Sequence, residues 1–236
     1  MKDLEKGFQY LTDKGLNLIS VLDCASLPAS MMHLMIASGV PVADYRRMLL
    51  IGHGGPRMWE SLQASGIKSV DPIDDYSISL TQQFVRDYLS DSPVFWLYPG
   101  ARYLVPLQQL GETAGWGYPS PLGTGISPGY GVWYAYRVAL LIDAELTLVR
   151  EIPAPSPCIS CMKKPCIDNC PVAAVQQAGF NLALCAQHRL SSRSSCADRC
   201  TARMACPVHP EQRYTLKQIQ YHYRHSLSTL RDWYGE

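Results

Sequence analysis

No stretch of this chain reaches the roughly 18–20 uninterrupted apolar residues of a membrane helix. Its opening, Met1 to Gly15, lacks the apolar run of a signal peptide and reads as an amphipathic helix. A charge excess is missing too: 21 Lys and Arg stand against 20 Asp and Glu, a formal net charge of +1. Nucleic-acid binding normally needs a strongly basic surface, so this balance argues against nucleic acid as a partner. No repeat or low-complexity tract is evident. The first 157 residues hold a single cysteine, Cys24. These absences predict a cytoplasmic protein with no membrane partner. Structural disulfides are rare in that compartment, so the nine cysteines of the chain need another explanation.

At 236 residues the chain is long enough for one sizeable domain or two small ones, and a hydrophobic fraction of 47% allows a proper core. The composition shifts at the proline-rich "REIPAPSPC", Arg150 to Cys158, which places a domain border near residue 153. Before it, apolar runs predict strands at Leu16–Asp23, Arg46–Gly52, Pro93–Pro99 and Val132–Ile142, the last apolar enough to be central. Helical spacing is expected at Pro56–Ala64, Ile78–Ser90 and Val105–Gly115, with proline suited to the first turn of the earliest of these. The glycine turn of "LIGHGGPRMW" could cradle a phosphate at a helix start, but the glycines do not fit a dinucleotide fingerprint and a plain strand-to-helix turn is the better reading. Cys24 reads as a buried core thiol. His222 and His225 share a face of the last helix and read as packing or surface residues.

The remaining eight cysteines fall between Cys158 and Cys206. Cys158, Cys161, Cys166 and Cys170 follow C-x2-C-x4-C-x3-C-P, and Cys185, Cys196, Cys200 and Cys206 end in a second Cys-Pro pair. Iron–sulfur clusters need four converging thiolates, and in two-cluster ferredoxins the cysteine before proline serves the other cluster. On that rule Cys158, Cys161, Cys166 and Cys206 hold one 4Fe-4S cluster, and Cys170, Cys185, Cys196 and Cys200 hold the other. Zinc is the competing occupant, since thiolates suit both. The spacings depart from the usual x2 and x3 steps, more so in the second set. Arg189, Arg193, Arg199 and Arg203 surround that second set; they either offset cluster charge or form a solvated basic face.

A ferredoxin needs only a short chain, so the first part must hold what the electrons reach. "AGWGYPSPLGTGISPGYGVWYAYRVALL", Ala114 to Leu141, followed by eight cysteines, resembles epoxyqueuosine reductase, and reductive dehalogenases share that plan. The chain is also similar to the cobalamin-processing family of the CblC type. Ile126, Pro128, Tyr130, Gly131, Trp133, Tyr134, Ala135 and Arg137 meet that family's pattern; "DPID" at Asp71–Asp74 and "PEQRY" at Pro210–Tyr214 match shorter segments. The resemblance implies an α+β fold, a flavin-nitroreductase-like sandwich followed by a small ferredoxin-like iron–sulfur region. It further implies a cobalamin pocket. Gly123, Thr124, Gly125, Ile126 and Pro128 would approach the corrin with their backbone, small residues permitting close contact. Tyr130, Gly131, Trp133 and Tyr136 would line it, and Arg137 matches the arginine that helps hold glutathione in the animal enzymes. His53 and Arg57 of the glycine turn could still touch a cobalamin side chain. A strand entering a core, with Arg137 paired to a carboxylate, would produce the same aromatic pattern.

Two departures are visible. The stretch "FWLYPGARYLVP", Phe95 to Pro106, has no acid where epoxyqueuosine reductases carry an aspartate. Residues 1–236 contain no counterpart of the helical repeats that bind transfer RNA in many of those enzymes. The expected organisation is a cobalamin-binding domain over 1–152, a 4Fe-4S region over 153–210, and a C-terminal helix over 211–236 packing on the first domain. The expected function is an iron–sulfur, cobalamin-binding oxidoreductase taking electrons from a small-molecule or protein donor. A non-catalytic cobalamin carrier, or a plain iron–sulfur electron-transfer protein with an empty or flavin-filled first domain, remains the alternative.

Overall fold

The computed structural model describes residues 4–90, 92–152 and 154–234. The border expected near residue 153 falls on Pro153, outside the described residues. The chain groups into two compact units, Met1–Trp116 with Tyr134–Ala154, and Gly117–Trp133 with Pro155–Glu236. The secondary structure is mixed α+β and every strand pairing is antiparallel.

In the first unit, α1 (Leu4–Asp13), β1 (Leu18–Asp23), α2 (Ala29–Ala37), β2 (Arg47–Gly54), α3 (Arg57–Ser65), α4 (Pro72–Tyr88), β3 (Val94–Tyr98) and α5 (Leu107–Thr113) follow in order. The unit is completed by the strand Tyr134–Ile142, which is β6 once the two short strands of the second unit are counted. The sheet runs β1-β2-β6-β3. Its two inner strands are buried along nearly their whole length, as Leu49, Leu50 and Ile51 and Val138 to Ile142 show. An unbroken apolar run can be buried on both faces, whereas an alternating one buries a single face. Arg47 lies opposite Ile142 and Gly54 opposite Tyr134, with a register shift at Ile51/Gly52.

Helix α4 opens with Pro72 in its first turn and carries Asp74 and Asp75 there, where acidic groups meet the positive end of the helix dipole. It packs on α1, α3 and β6. Phe8 stacks on Phe84 at 5.7 Å. Trp116 is buried, donates from Nε1 to Ser20 Oγ at 2.9 Å and stacks on Tyr136 at 5.7 Å. Gly52 leaves room for that ring, since a Cβ there would press on Trp116 and on the Ala135 carbonyl.

The second unit holds β4 (Tyr118–Pro119) paired with β5 (Gly125–Ile126), the turns α6 (Pro157–Ser160) and α7 (Pro165–Asp168), the hairpin β7 (Val175–Gln176) and β8 (Gly179–Phe180), and the helices α8 (Leu182–Leu190), α9 (Thr201–Met204) and α10 (Leu216–Tyr234). Asn181 caps α8, accepting from Leu184 N at 3.1 Å. The core joins Leu122, Ile126, Val132 and Trp133 to Val175, Ala202, Cys206, Tyr214 and Ile219.

That core explains why residues 117–133 group with the cysteine region instead of the strands before them. Their apolar side chains are buried among residues of 175–219. The chain therefore enters the second unit, returns along β6, and enters it again. Helix α10 also groups with the second unit, where it packs on α8.

Candidate functional site

The eight cysteines cluster because prolines and short turns keep folding the chain back. Pro157 opens α6 and Pro165 opens α7, with Lys164 between them in the left-handed region at φ 39°. Cys158, Cys161, Cys166 and Cys206 line one small cavity together with Leu122, Ile126 and Val132. Cys170, Cys185, Cys196 and Cys200 line a larger one of about 710 Å³. This is the grouping the crossover rule assigns. All nine cysteines are free thiols.

Burial pushes the Cys158 thiol up, and Cys206, Cys166 and Cys161 push it further. Cys166 and Cys206 are raised in the same way, by burial first and then by thiols of their own set. In the other set, burial pushes Cys185 up to about 11, with Cys200, Cys170 and Cys196 adding to it and Arg189 opposing. Donors point the other way: Ala174 N lies 3.2 Å from Cys170 Sγ, and Arg203 N lies 3.4 Å from Cys200 Sγ. Tyr223 lines the same cavity as Cys200. Crowded buried thiols resist ionisation, while a bound metal favours the thiolate outright. Amide donors aimed at sulfur stabilise the same charged form. The donor set thus fits a cationic metal group held among four sulfurs. Among the described residues, no three His, Cys, Asp or Glu side chains close on a point suited to one metal ion; the thiols of each set share the wall of a cavity.

The arginines around the second set are not one solvated face. Arg189 is buried, donates from Nε to the Cys196 carbonyl at 3.3 Å and from Nη2 to the Tyr223 carbonyl at 2.8 Å and Ser226 Oγ at 3.0 Å. Arg203 is half-buried, forks onto the Val132 carbonyl with Nε at 3.2 Å and Nη2 at 2.5 Å, and lies over the Trp133 ring at 4.7 Å. Arg199 pairs with Asp198 at 2.8 Å, and Arg193 alone is fully exposed.

The Gly123–Arg137 segment divides between the units. Gly123 and Thr124 line the larger cavity, and Gly123 (φ 72°) has the Phe180 ring where a side chain would begin. Gly125 and Ile126 form β5, with Ile126 buried. The Pro128 carbonyl faces His209 Nε2 at 2.7 Å, and the Nδ1 of that ring meets Glu211 at 2.7 Å. Tyr130 is half-buried, and its carbonyl accepts from Trp133 N at 3.0 Å. Gly131 (φ 56°) is fixed by the backbone of Val208, whose carbonyl occupies the place of a side chain. Trp133 is fully buried in the core of the second unit, edge-on to Tyr214 at 5.5 Å, and its indole N–H has no partner among the described residues. Tyr136, in the first unit, stacks on Trp116, its hydroxyl lies against Gly111, and burial holds its phenol well above the usual range. Arg137 is buried and donates to His53.

Tyr223, Phe180 and His209 are the participants the sequence did not disclose. Only Tyr223 left a signal, sharing a helical face with Ile219 and Leu227 in α10.

No known family profile matches the chain, and no curated protein matches it in sequence. Solved structures do. An epoxyqueuosine reductase with a tRNA-Tyr epoxyqueuosine-modified stem loop superposes with a TM-score of 0.57 at 14% identity, covering 92% of this chain and 68% of that one. The Bacillus subtilis epoxyqueuosine reductase, with its catalytic aspartate loop swung out of the active site, gives 0.58 at 14%, covering 90% and 66%. The C. elegans B12-trafficking protein CblC, described as a human MMACHC homologue, gives 0.46 at 14% and covers 98% and 96%, a likeness too loose to build on. The fold is thus that of the epoxyqueuosine reductases, the resemblance read from the sequence, and the chain spans about two thirds of their length. Among the described residues no helix is long and apolar enough to cross a membrane.

Proposed function

We propose that this chain is an iron–sulfur, cobalamin-binding oxidoreductase that passes electrons through two 4Fe-4S clusters toward a cobalamin. The observation that carries the reading is the pair of separate cavities, each lined by four cysteines in the pattern two-cluster ferredoxins use. Cobalamin, when bound, supplies a reducible cobalt; the protein positions and tunes it. The backbone of Gly123, Thr124, Gly125, Ile126, Pro128, Tyr130 and Gly131 forms the face offered to the corrin. Gly129, at the bend of this segment, is open: a Cβ there meets nothing within 4 Å. Trp133 supports the segment from the core of the second unit; Tyr136 and Arg137 lie in the first unit. The reductase fold at TM-scores of 0.57 and 0.58 favours reduction over carriage alone.

The test is anaerobic reconstitution followed by metal, sulfide and cobalamin titration. The reading expects about eight irons and eight acid-labile sulfides per chain, two 4Fe-4S sets, and a shift of the hydroxocobalamin spectrum on addition of protein. Stoichiometric zinc without sulfide overturns the clusters. Clusters with an unchanged cobalamin spectrum leave an electron carrier, and a bound flavin spectrum places a flavin in the cobalamin's stead.

A further inference from the structure

Arg203 stands close to residues of both thiol sets. Its own amide, 3.4 Å from Cys200 Sγ, belongs to the second thiol set. Its guanidinium lies over Trp133 at 4.7 Å and Tyr214 at 5.4 Å. Those two rings are buried in one cluster with Cys206 of the first set, and Cys158, Cys166, Cys170 and Cys200 pack against the same cluster. Burial pushes the Cys206 thiol up, and Arg213 and then Arg203 oppose it. Arg203 and Tyr223 both line the cavity of the second set, and Tyr223 is not in the wall of the first. The fork onto the Val132 carbonyl fixes the charge in place. Arginine suits this task because its charge is permanent and its planar fork can hold one carbonyl while stacking on an aromatic face.

We propose that Arg203 is a positioning residue common to both clusters, setting their potentials together, while the Tyr223 hydroxyl tunes the second cluster alone. The inference rests on the two-cluster reading above. A fixed positive charge beside a cluster stabilises its reduced, more negative form and raises its potential, and hydrogen bonds to the sulfurs act in the same direction. One charge beside both clusters therefore shifts both potentials in the same direction.

The experiment is an anaerobic potentiometric titration followed by electron paramagnetic resonance, with midpoints assigned in Cys161→Ala and Cys185→Ala chains, each holding one set. Arg203→Gln, at the parent's iron content, is expected to move both midpoints to more negative values, with Arg203→Lys recovering most of the shift. Tyr223→Phe is expected to move only the midpoint of the Cys170, Cys185, Cys196 and Cys200 set. Unmoved midpoints in Arg203→Gln, or movement of one alone, overturn the proposal. Should Arg203→Gln lose iron, Tyr223→Phe decides: an unmoved second midpoint, or equal movement of both, overturns it. A parent chain that holds no iron–sulfur group would instead sink the function on which this rests.

Discussion

Arg137 donates from Nε to Nδ1 of His53 at 3.0 Å, and both side chains are buried. The bond makes Nδ1 the acceptor nitrogen of His53, so the ring's other nitrogen carries the proton at this tautomer. The two residues sit on adjacent strands, β2 and β6, whose register places His53 opposite Ala135 and Tyr136 opposite Gly52. Arg137→Leu keeps the volume but leaves a buried acceptor without its donor. A loss of about 1–3 kcal/mol is expected in chemical denaturation. Full stability in that variant would mean that the pair does not hold the sheet.

Much of the first unit was legible because its strands are runs of one character. "RRMLLIG" and "VWYAYRVALLI" became β2 and β6 to within two residues at each end, and the continuous apolarity of the second said that it was central. Helix α2 was not read: "ASMMHLMIA" has methionine and isoleucine on every side, with Met31 and Met35 buried and Ile36 exposed, so no periodic face stands out. The thiol sets were legible because ligand spacing is a local property. What tunes them was not. Arg203 reaches Val132 across 71 residues, and Arg189 turns inward to Tyr223 across 34. A basic run looks the same in sequence whether its side chains face water or a carbonyl.

Two glycines of the same loop should behave in opposite ways. Gly131 has a positive φ and the Val208 backbone where a side chain would start, so Gly131→Ala is expected to destabilise the second unit by about 1 kcal/mol or more. Gly129 has open space, so Gly129→Trp should leave the melting temperature unchanged. If the corrin lies against this loop, the indole occupies its space, and cobalamin affinity falls at least tenfold in spectral titration. Parent affinity in a folded Gly129→Trp chain would remove the loop from the binding site.

Cys24 gives the chain a pH signature apart from the clusters. Burial pushes its thiol up to about 12, with Asp23 adding to the effect and Arg47 opposing it. An unfolded thiol ionises near about 8.5. Between those values the folded chain keeps a proton that the unfolded chain has released. Stability therefore falls as pH rises through this window and is unaffected by Cys24 below it. Denaturation of the parent and of Cys24→Ala at pH 7.5 and pH 10 measures the difference. The parent should lose more stability between the two than the variant does, and parallel losses would show that Cys24 ionises freely in the fold.

The division of the thiols into two sets predicts how iron is lost. Cys161 is in the wall of the smaller cavity and Cys185 in the wall of the larger, and no cysteine lines both. Removing one thiolate leaves three, which hold a cubane poorly, while the other set keeps all four of its ligands. Cys161→Ala and Cys185→Ala should each therefore lower iron and acid-labile sulfide from about eight per chain to about four. The double variant should retain almost none, and Cys24→Ala should keep the parent's content, since that thiol is buried in the first unit, in the wall of neither cavity. The far-ultraviolet spectrum of each single variant should stay close to that of the parent, because the sheet of the first unit contains none of these residues. Complete loss of iron in either single variant, with the fold retained, would mean that the eight thiols form one cooperative site, and the pairing of Cys206 with Cys158, Cys161 and Cys166 would have to be abandoned.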